Sequence, residues 1–351
     1  MGRRPLCGRR RRGIRRLSKH CSRPEPILKS VSATDFLRSC LAREGKIGVL
    51  PALLKAGEDP NEAVKPLHRQ RQRGFLDRVA GVSKPGTSAL TLAIVNAHFE
   101  VAAKLLEAGA NPNAAAQGWT ALHAITWVRK PGIGDNNPPP QGSGSMTSLE
   151  IVQKLVEHGA DLNARMTRPL DTLLTKLNVK GATPFMLAAR TADAELMRYL
   201  AKLGANPLLT NDDNTTPLMA AAGVGTRAPG EDPGTESEVI EAIQVTLDLG
   251  GDINAVDNRG ETAMHGAAYK TLPGVAQFLA DKGAKIDIWN QKNKQGWTPL
   301  HIAQGYRFDN FVPSPKTEAA IRGLMTAAGV STDIEAPKFC DHYSKEATCK
   351  E

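Results

Sequence analysis

Residues 181–208 show the hydrophobic pattern of this chain most plainly. Pro184, Phe185, Met186, Leu187, Ala188 and Ala189 form an apolar run with no polar stripe, which predicts a short helix packed between neighbours on every side. Thr183 before it is placed to cap that helix, and Pro184 suits the first position because its fixed φ is helical and its missing donor is not needed there. A second helix is predicted from Asp193 or Ala194, with Leu196, Met197 and Leu200 on one face and Gly204 as its left-handed stop. Two helices of about ten residues cannot enclose a core alone, but copies of the pair can do so by stacking.

The copies are present. Helix endings with Gly at 57, 109, 159, 204, 250, 283 and 329 are separated by 52, 50, 45, 46, 33 and 46 residues. Helix openings recur as GTSAL at Gly86, GWTAL at Gly118, GATPF at Gly181, NTTPL at Asn214, GETAM at Gly260 and GWTPL at Gly296. The distance from Gly181 to Asn214 is again 33, so a base period of 33 with insertions at fixed places accounts for both series.

The phrases carrying the repeat are Thr298-Pro299-Leu300-His301-Ile302-Ala303, Thr262-Ala263-Met264-His265-Gly266-Ala267-Ala268 and Leu105-Leu106-Glu107-Ala108-Gly109-Ala110-Asn111-Pro112-Asn113. The pattern resembles the ankyrin repeat, whose period is 33 residues. The resemblance implies an all-α solenoid of stacked helix-turn-helix units joined by β-turn or hairpin loops. Full repeats are placed near 86–117, 118–165, 181–213, 214–258, 260–290 and 296–330, within a repeat domain spanning 33–335. Ala33 to Asn61 reads as a degraded capping repeat, with Phe36, Leu37 and Leu41 in one helix and Val49, Leu50, Leu53 and Leu54 in the next. Glu62 to Pro85 reads as a loop.

Four insertions break the period. Repeats two, four and six carry Pro- and Gly-rich loops between their helices, at Val128 to Thr147, Val224 to Glu238 and Gly305 to Thr317. Residues 165–180 instead lengthen the connection between repeats two and three, extending its hairpin or adding a short helix through Leu173, Leu174 and Leu177. Loops of this length usually have a function or are disordered. Tyr306, Phe308 and Phe311 in the last loop, and Asn136-Asn137-Pro138 in the first, leave two readings open: the loops bind something, or they fold over the edge and pack. Shortening them is expected to be inexpensive unless they pack, since loop closure depends weakly on length. Insertions of this kind resemble those of some bacterial ankyrin proteins.

Charge changes the picture only at the start. The net charge of +9 is all accounted for by residues 1–23, which hold nine Arg, one Lys and no acid, so the repeats are close to neutral. Residues 1–32 are expected to be a disordered basic arm, with Arg9, Arg10, Arg11, Arg12, Arg15 and Arg16 as candidate contacts to nucleic acid or an anionic membrane. The alternative is that this stretch precedes the true start of the protein. No apolar segment follows the arginines as a secretory signal would require, and no 18-residue apolar run predicts a membrane span. The five cysteines lie at 7, 21, 40, 340 and 349, so the repeats depend on no disulfide or Cys-bound metal. Cys340 and Cys349, in the tail 336–351, are read as thiols, with a small disulfide loop as the alternative in an oxidising compartment.

The search for chemistry yields little. His123, His265 and His301 share the repeat position that follows the helix opening, where a structural role is expected over a metal. Asp212-Asp213-Asn214 and Asp257-Asn258 fall at hairpin tips and lack the alternating oxygens of a calcium loop. The GSGS at 142–145 lacks the Lys and strand of a phosphate loop, and no nucleophile motif or zinc spacing occurs. Neither a catalytic role nor a cofactor is expected. What the resemblance implies is binding of another protein through the concave groove and inserted loops. The family's variable positions fall here at Thr87, Trp119, Ala182, Thr215, Glu261 and Trp297, and at pairs that include Trp127, Arg190, Tyr269, Lys270 and Tyr306. Trp, Tyr and Arg dominate binding hot spots, which makes Trp119, Trp127, Arg190, Tyr269, Lys270, Trp297, Tyr306, Phe308 and Phe311 the expected partner site. Trp119 and Trp297 are expected to lie exposed at hairpin tips. The polyanion alternative has its own test: deleting residues 1–23 should abolish a steeply salt-dependent affinity for nonspecific DNA, and equal binding by the truncated chain contradicts it.

Overall fold

The computed structural model describes residues 45–55, 57–63, 86–132, 140–168, 175–307, 311–335 and 337. The first helix of the capping unit, the arm, the helix expected through Leu173 and Leu174, and the C-terminal cysteines lie outside them.

The apolar runs fold as the pattern requires. After a 3₁₀ turn at Ile47–Val49 and α1 (Leu50–Lys55), helices come in pairs: α2 (Ala89–Val95) with α3 (Phe99–Glu107), α4 (Ala121–Arg129) with α5 (Ser148–Glu157), and α6 (Pro184–Arg190) with α7 (Ala194–Lys202). They continue as α8 (Pro217–Ala222) with α9 (Glu236–Asp248), α10 (Ala263–Lys270) with α11 (Pro273–Asp281), and α13 (Pro299–Ala303) with α14 (Pro315–Ala327). A single-turn helix, α12 (Ile286–Trp289), lies in the connection before the last pair. No strand occurs among the described residues, only an isolated bridge between Tyr306 and Phe311.

Each first helix begins at a Ser or Thr. Thr183 accepts from the Met186 amide at 3.3 Å with Pro184 at the first helical position, and Thr216 with Pro217 repeats the device. Three of the six second helices begin on side-chain caps as well: Asp193 accepts from Leu196 N, while Thr147 with Glu150 and Thr235 with Glu238 form capping boxes. The glycines that close the second helices all have positive φ, which is why the ending recurs so regularly. α4 runs two residues past Trp127, where the sequence pattern placed the break.

Stacking makes one continuous core from α1 to α14. All of α6, α8 and α10 is buried, from Pro184 to Arg190, Pro217 to Ala222 and Ala263 to Lys270, so these helices have no face toward water. Phe185 is fully buried, and truncating such a side chain costs roughly 3–5 kcal/mol. Polar stitches join neighbouring units along the outer turns. Asn61 Nδ2 donates to Gly109 O and its Oδ1 accepts from Asn111 N, and Asn113 does the same with Gly159 O and Asp161 N. Asn254 repeats the pattern with Gly283 O and Lys285 N.

The repeated histidines are a second set of stitches. His265 Nδ1 accepts from Thr262 N at 3.2 Å, and its Nε2 donates to Gln291 O at 3.2 Å in the next unit. His123 reaches Ala182 O and His301 reaches Glu335 O in the same way. Burial pushes His123 and His265 down to about 4. The folded state therefore keeps them neutral while the unfolded chain takes up protons. Stability is complete above the ordinary value of 6.5 and is lost as pH falls toward 4, by roughly 3 kcal/mol per imidazole. Nitrogen chemical shifts should report neutral imidazoles at His123 and His265 at pH 5.5, and imidazolium at either would contradict the assignment.

Candidate functional site

The face shared by the first helices and the connections between units is where the sequence placed a partner site. Two segments of the chain itself lie there. The first, at 175–180, comes from the connection between repeats two and three. Its Leu177 and Val179 join Met166 in a small second core against Ala182, Met186, Leu187 and Ala220. Lys176 N and Thr175 Oγ1 donate to Gly225 O at 2.8 and 3.1 Å, and Arg259 Nη1 donates to Lys176 O at 3.0 Å. Gly225 has φ of +81°, and a side chain there would overlap Leu177, so the meeting point demands glycine.

The second segment is the insertion of repeat four, Gly225 to Thr235. Asp232 is buried and pairs with Arg190, while its other oxygen accepts from Thr226 Oγ1 at 2.7 Å. Lys270 Nζ donates to Pro233 O at 3.1 Å, and burial pushes that ammonium down to about 8. The segment therefore covers the ends of α6 and α10.

The other two insertions also fold back. In the first, Ser143 bonds His98 Nδ1 at 2.9 Å and Ser145 N donates to Glu100 Oε1 at 2.8 Å, both in repeat one. Its start reaches forward into repeats three and four. Arg129 takes Asp193 through Nε and Nη2 at 2.6 and 3.0 Å, with Glu195 and Ser148 completing its fork. Lys130 Nζ donates to Ala192 O and Glu238 Oε1 at 2.9 and 2.8 Å, and this contact with the Thr235 amide holds the Glu238 carboxyl at about 2. In the last insertion Arg307 Nη1 donates to Tyr269 O at 3.0 Å and Ser314 N to Ala303 O at 2.8 Å. Of the two readings the sequence left open, the described parts of all three loops show packing on neighbouring repeats.

These contacts redistribute the expected site. Tyr269 is 0% exposed, and Arg190 and Lys270 are buried under the repeat-four insertion, so none of the three faces a partner in this arrangement. Trp119, Trp127, Trp297 and Tyr306 are half-buried. Trp119 and Trp297 are thus not the exposed hairpin-tip residues the sequence suggested; both pack on the core, and Trp119 meets Trp127 edge to face at 5.1 Å. Phe311 is 52% exposed and meets Tyr306 edge to face at 5.6 Å. Phe308 and the arm's Arg9, Arg10, Arg11, Arg12, Arg15 and Arg16 lie outside the described residues.

Sequence reading missed Asp232 and placed Glu261 only among the variable groove positions. Asp232 was detectable as an acid in APGEDPGTE, in a chain where three of the six first helices end on a cation, Arg129, Arg190 and Lys270. Glu261 follows an opening Gly, a position the resemblance assigns to the surface, yet it is 0% exposed. Its Oε1 accepts from Tyr269 Oη at 3.0 Å and Asn293 Nδ2 at 3.1 Å, while Oε2 has no partner. Burial pushes the carboxyl up. Because the folded state holds this proton to higher pH than the unfolded chain, the charge penalty appears as pH rises above the ordinary value of 4.5 and is complete above the raised one. Among the described residues, no group of three or more His, Cys, Asp or Glu is arranged to hold a metal ion, and no helix is long and apolar enough to cross a membrane.

The profile for ankyrin repeats in three copies matches residues 144–227 and 235–312, and the single ankyrin repeat profile matches 86–116. Human ankyrin repeat and SOCS box protein 16 is 25% identical over 79% of this chain and 52% of its own length. The phosphocholine transferase AnkX of Legionella pneumophila, an enzyme, is 24% identical over 66% of this chain but only 26% of its own. The crystal structure of the human ASB11 ankyrin repeat domain superposes with a TM-score of 0.52 at 21% identity, covering 82% of this chain and 96% of that one. This chain spans between 11% and 56% of the length of seven curated relatives that it matches, which come from animals, a plant, a virus and a bacterium, so no bacterial origin follows. Exchanging Glu261→Gln should raise the urea midpoint at pH 8 more than at pH 5; an equal change at both would show the carboxyl to be ordinary.

Proposed function

The chain belongs to the ankyrin repeat family, and we propose that it is a non-catalytic scaffold that binds another protein along the rim formed by its inserted loops. Ankyrin repeats generally mediate protein–protein interaction, and that general role is the ground on which the finer reading stands. The histidines sit in helix-opening stitches between units, which supports a role without catalysis.

Phe311 carries the reading. A large aromatic side chain is normally drawn into a core, yet this one is 52% exposed while the next residue, Val312, is tied by its backbone to Gly305. Val312 N donates to Gly305 O at 3.1 Å, and Tyr306 is bridged to Phe311 and meets its ring edge to face. The pair is thus held at the rim rather than left there by slack, as an anchor for a protein surface would be. Tyr306 and the half-buried Trp119, Trp127 and Trp297 extend the set of accessible aromatics, and Phe308 adjoins it in sequence. The alternative of polyanion binding through the arginine arm rests on residues outside the structure.

A photo-crosslinking residue at position 311 of the full chain should capture a partner that one at Lys202, on the outer side of α7, does not. Phe311→Ala should remove that partner while changing stability by well under about 1 kcal/mol. A partner captured equally from both positions, or kept by Phe311→Ala, contradicts the rim as the binding site.

A further inference from the structure

The ends of the first helices form a basic row. Arg129 and Lys130 supply it in repeat two, Arg190 in repeat three, Lys270 in repeat five, and Arg307 sits just past α13 in repeat six. In repeat four the same place is taken by the insertion, whose residues 225–237 hold Arg227 against Glu231, Asp232 and Glu236 and are therefore net acidic. An acidic segment is thus seated among basic side chains: Asp232 on Arg190, the Pro233 carbonyl on Lys270, and Glu238 just beyond on Lys130.

What holds it there is one ion pair and a set of hydrogen bonds rather than apolar burial. From Gly225 to Ser237 the only apolar side chains are those of Ala228, Pro229 and Pro233, whereas the neighbouring segment is anchored by buried Leu177 and Val179. A buried ion pair contributes little net stability, because desolvation offsets most of the Coulomb attraction. Removing the acid alone is costly, but replacing it with another acid is not. The row also has unused capacity. Arg307 is only 3% exposed, its Nη1 donates to the Tyr269 carbonyl, and its Nε and Nη2 have no partner.

We infer that residues 226–234 are a displaceable acidic plug in a basic groove, and that the groove's external ligand is an acidic segment of a partner protein taking the plug's place on Arg190 and Lys270. The inference rests on the protein-binding reading and adds to it the chemistry of the ligand and the chain's own competitor for the site. A partner segment that adds apolar side chains to its acids has contacts the plug lacks, so it can win by exchange without breaking the stack.

The test uses the full chain with residues 226–234 replaced by nine Gly and Ser residues, leaving Thr235 to cap α9, and the synthetic peptide Thr226–Ser237 as probe. The replaced chain should fold and bind the peptide at least about tenfold more tightly than the unaltered chain, and high salt should weaken that binding. Asp232→Asn in the peptide should weaken it about tenfold. Peptide binding no tighter than to the unaltered chain, indifference to Asp232→Asn, or preference for a DNA oligonucleotide over the peptide each overturns the proposal. So does a replaced chain that fails to fold, since the segment is then part of the core. In the unaltered chain the Glu231 amide should exchange its hydrogen by local opening, and exchange only on global unfolding overturns the proposal independently. None of these outcomes bears on crosslinking at Phe311, so a failed plug and a failed protein-binding reading are told apart.

Discussion

A helix with no polar face has no stable place except between other helices, and the whole molecule follows from that. α6, α8 and α10 each need a neighbour above, a neighbour below, a second helix behind and something in front. The stack provides the first three: the apolar faces of the second helices behind, and successive units above and below, joined by histidine and asparagine stitches. The fourth side is usually where a repeat protein of this family meets its ligand. Here the chain covers it.

Two kinds of contact do the covering, and they differ in strength. Residues 175–180 bring Leu177 and Val179 into a second core, so water is excluded by apolar burial and the segment belongs to the fold. The repeat-four insertion brings Asp232, a carbonyl and a glycine-rich backbone, so it is seated by ion pairing and hydrogen bonds. The same distinction separates the rim. Arg129 is locked into Asp193, a helix cap, and serves the stack; Arg190 and Lys270 face a segment that carries no large apolar anchor.

The solenoid was legible because its determinants are local and recur. Thr183, Pro184 and Gly204 fix the ends of their helices through caps, φ and missing donors, and a period of 33 multiplies that information. The site was legible only in part, because its determinants are long-range. That Arg190 would meet Asp232, or Glu261 would meet Tyr269 and Asn293, depends on how insertions fold over a finished stack, and no periodicity carries that. Trp119 and Trp297 were misplaced for a related reason. The family's variable positions are exposed when the connections between units are short, but here the connection at 165–180 is long and gives Trp119 a second core to pack on, while Trp297 turns into the main one.

The central claim is that the chain covers its own groove over repeats three to five. Methionine oxidation by dilute peroxide, followed residue by residue on the folded full chain, tests it directly. Met186 lies at the face that residues 175–180 cover and is 0% exposed. It should oxidise as slowly as Met264 inside the stack, and much more slowly than the half-buried Met146 of the first insertion. Oxidation of Met186 at the rate of Met146, with Met264 still protected, would mean that the groove stands open and would contradict the account.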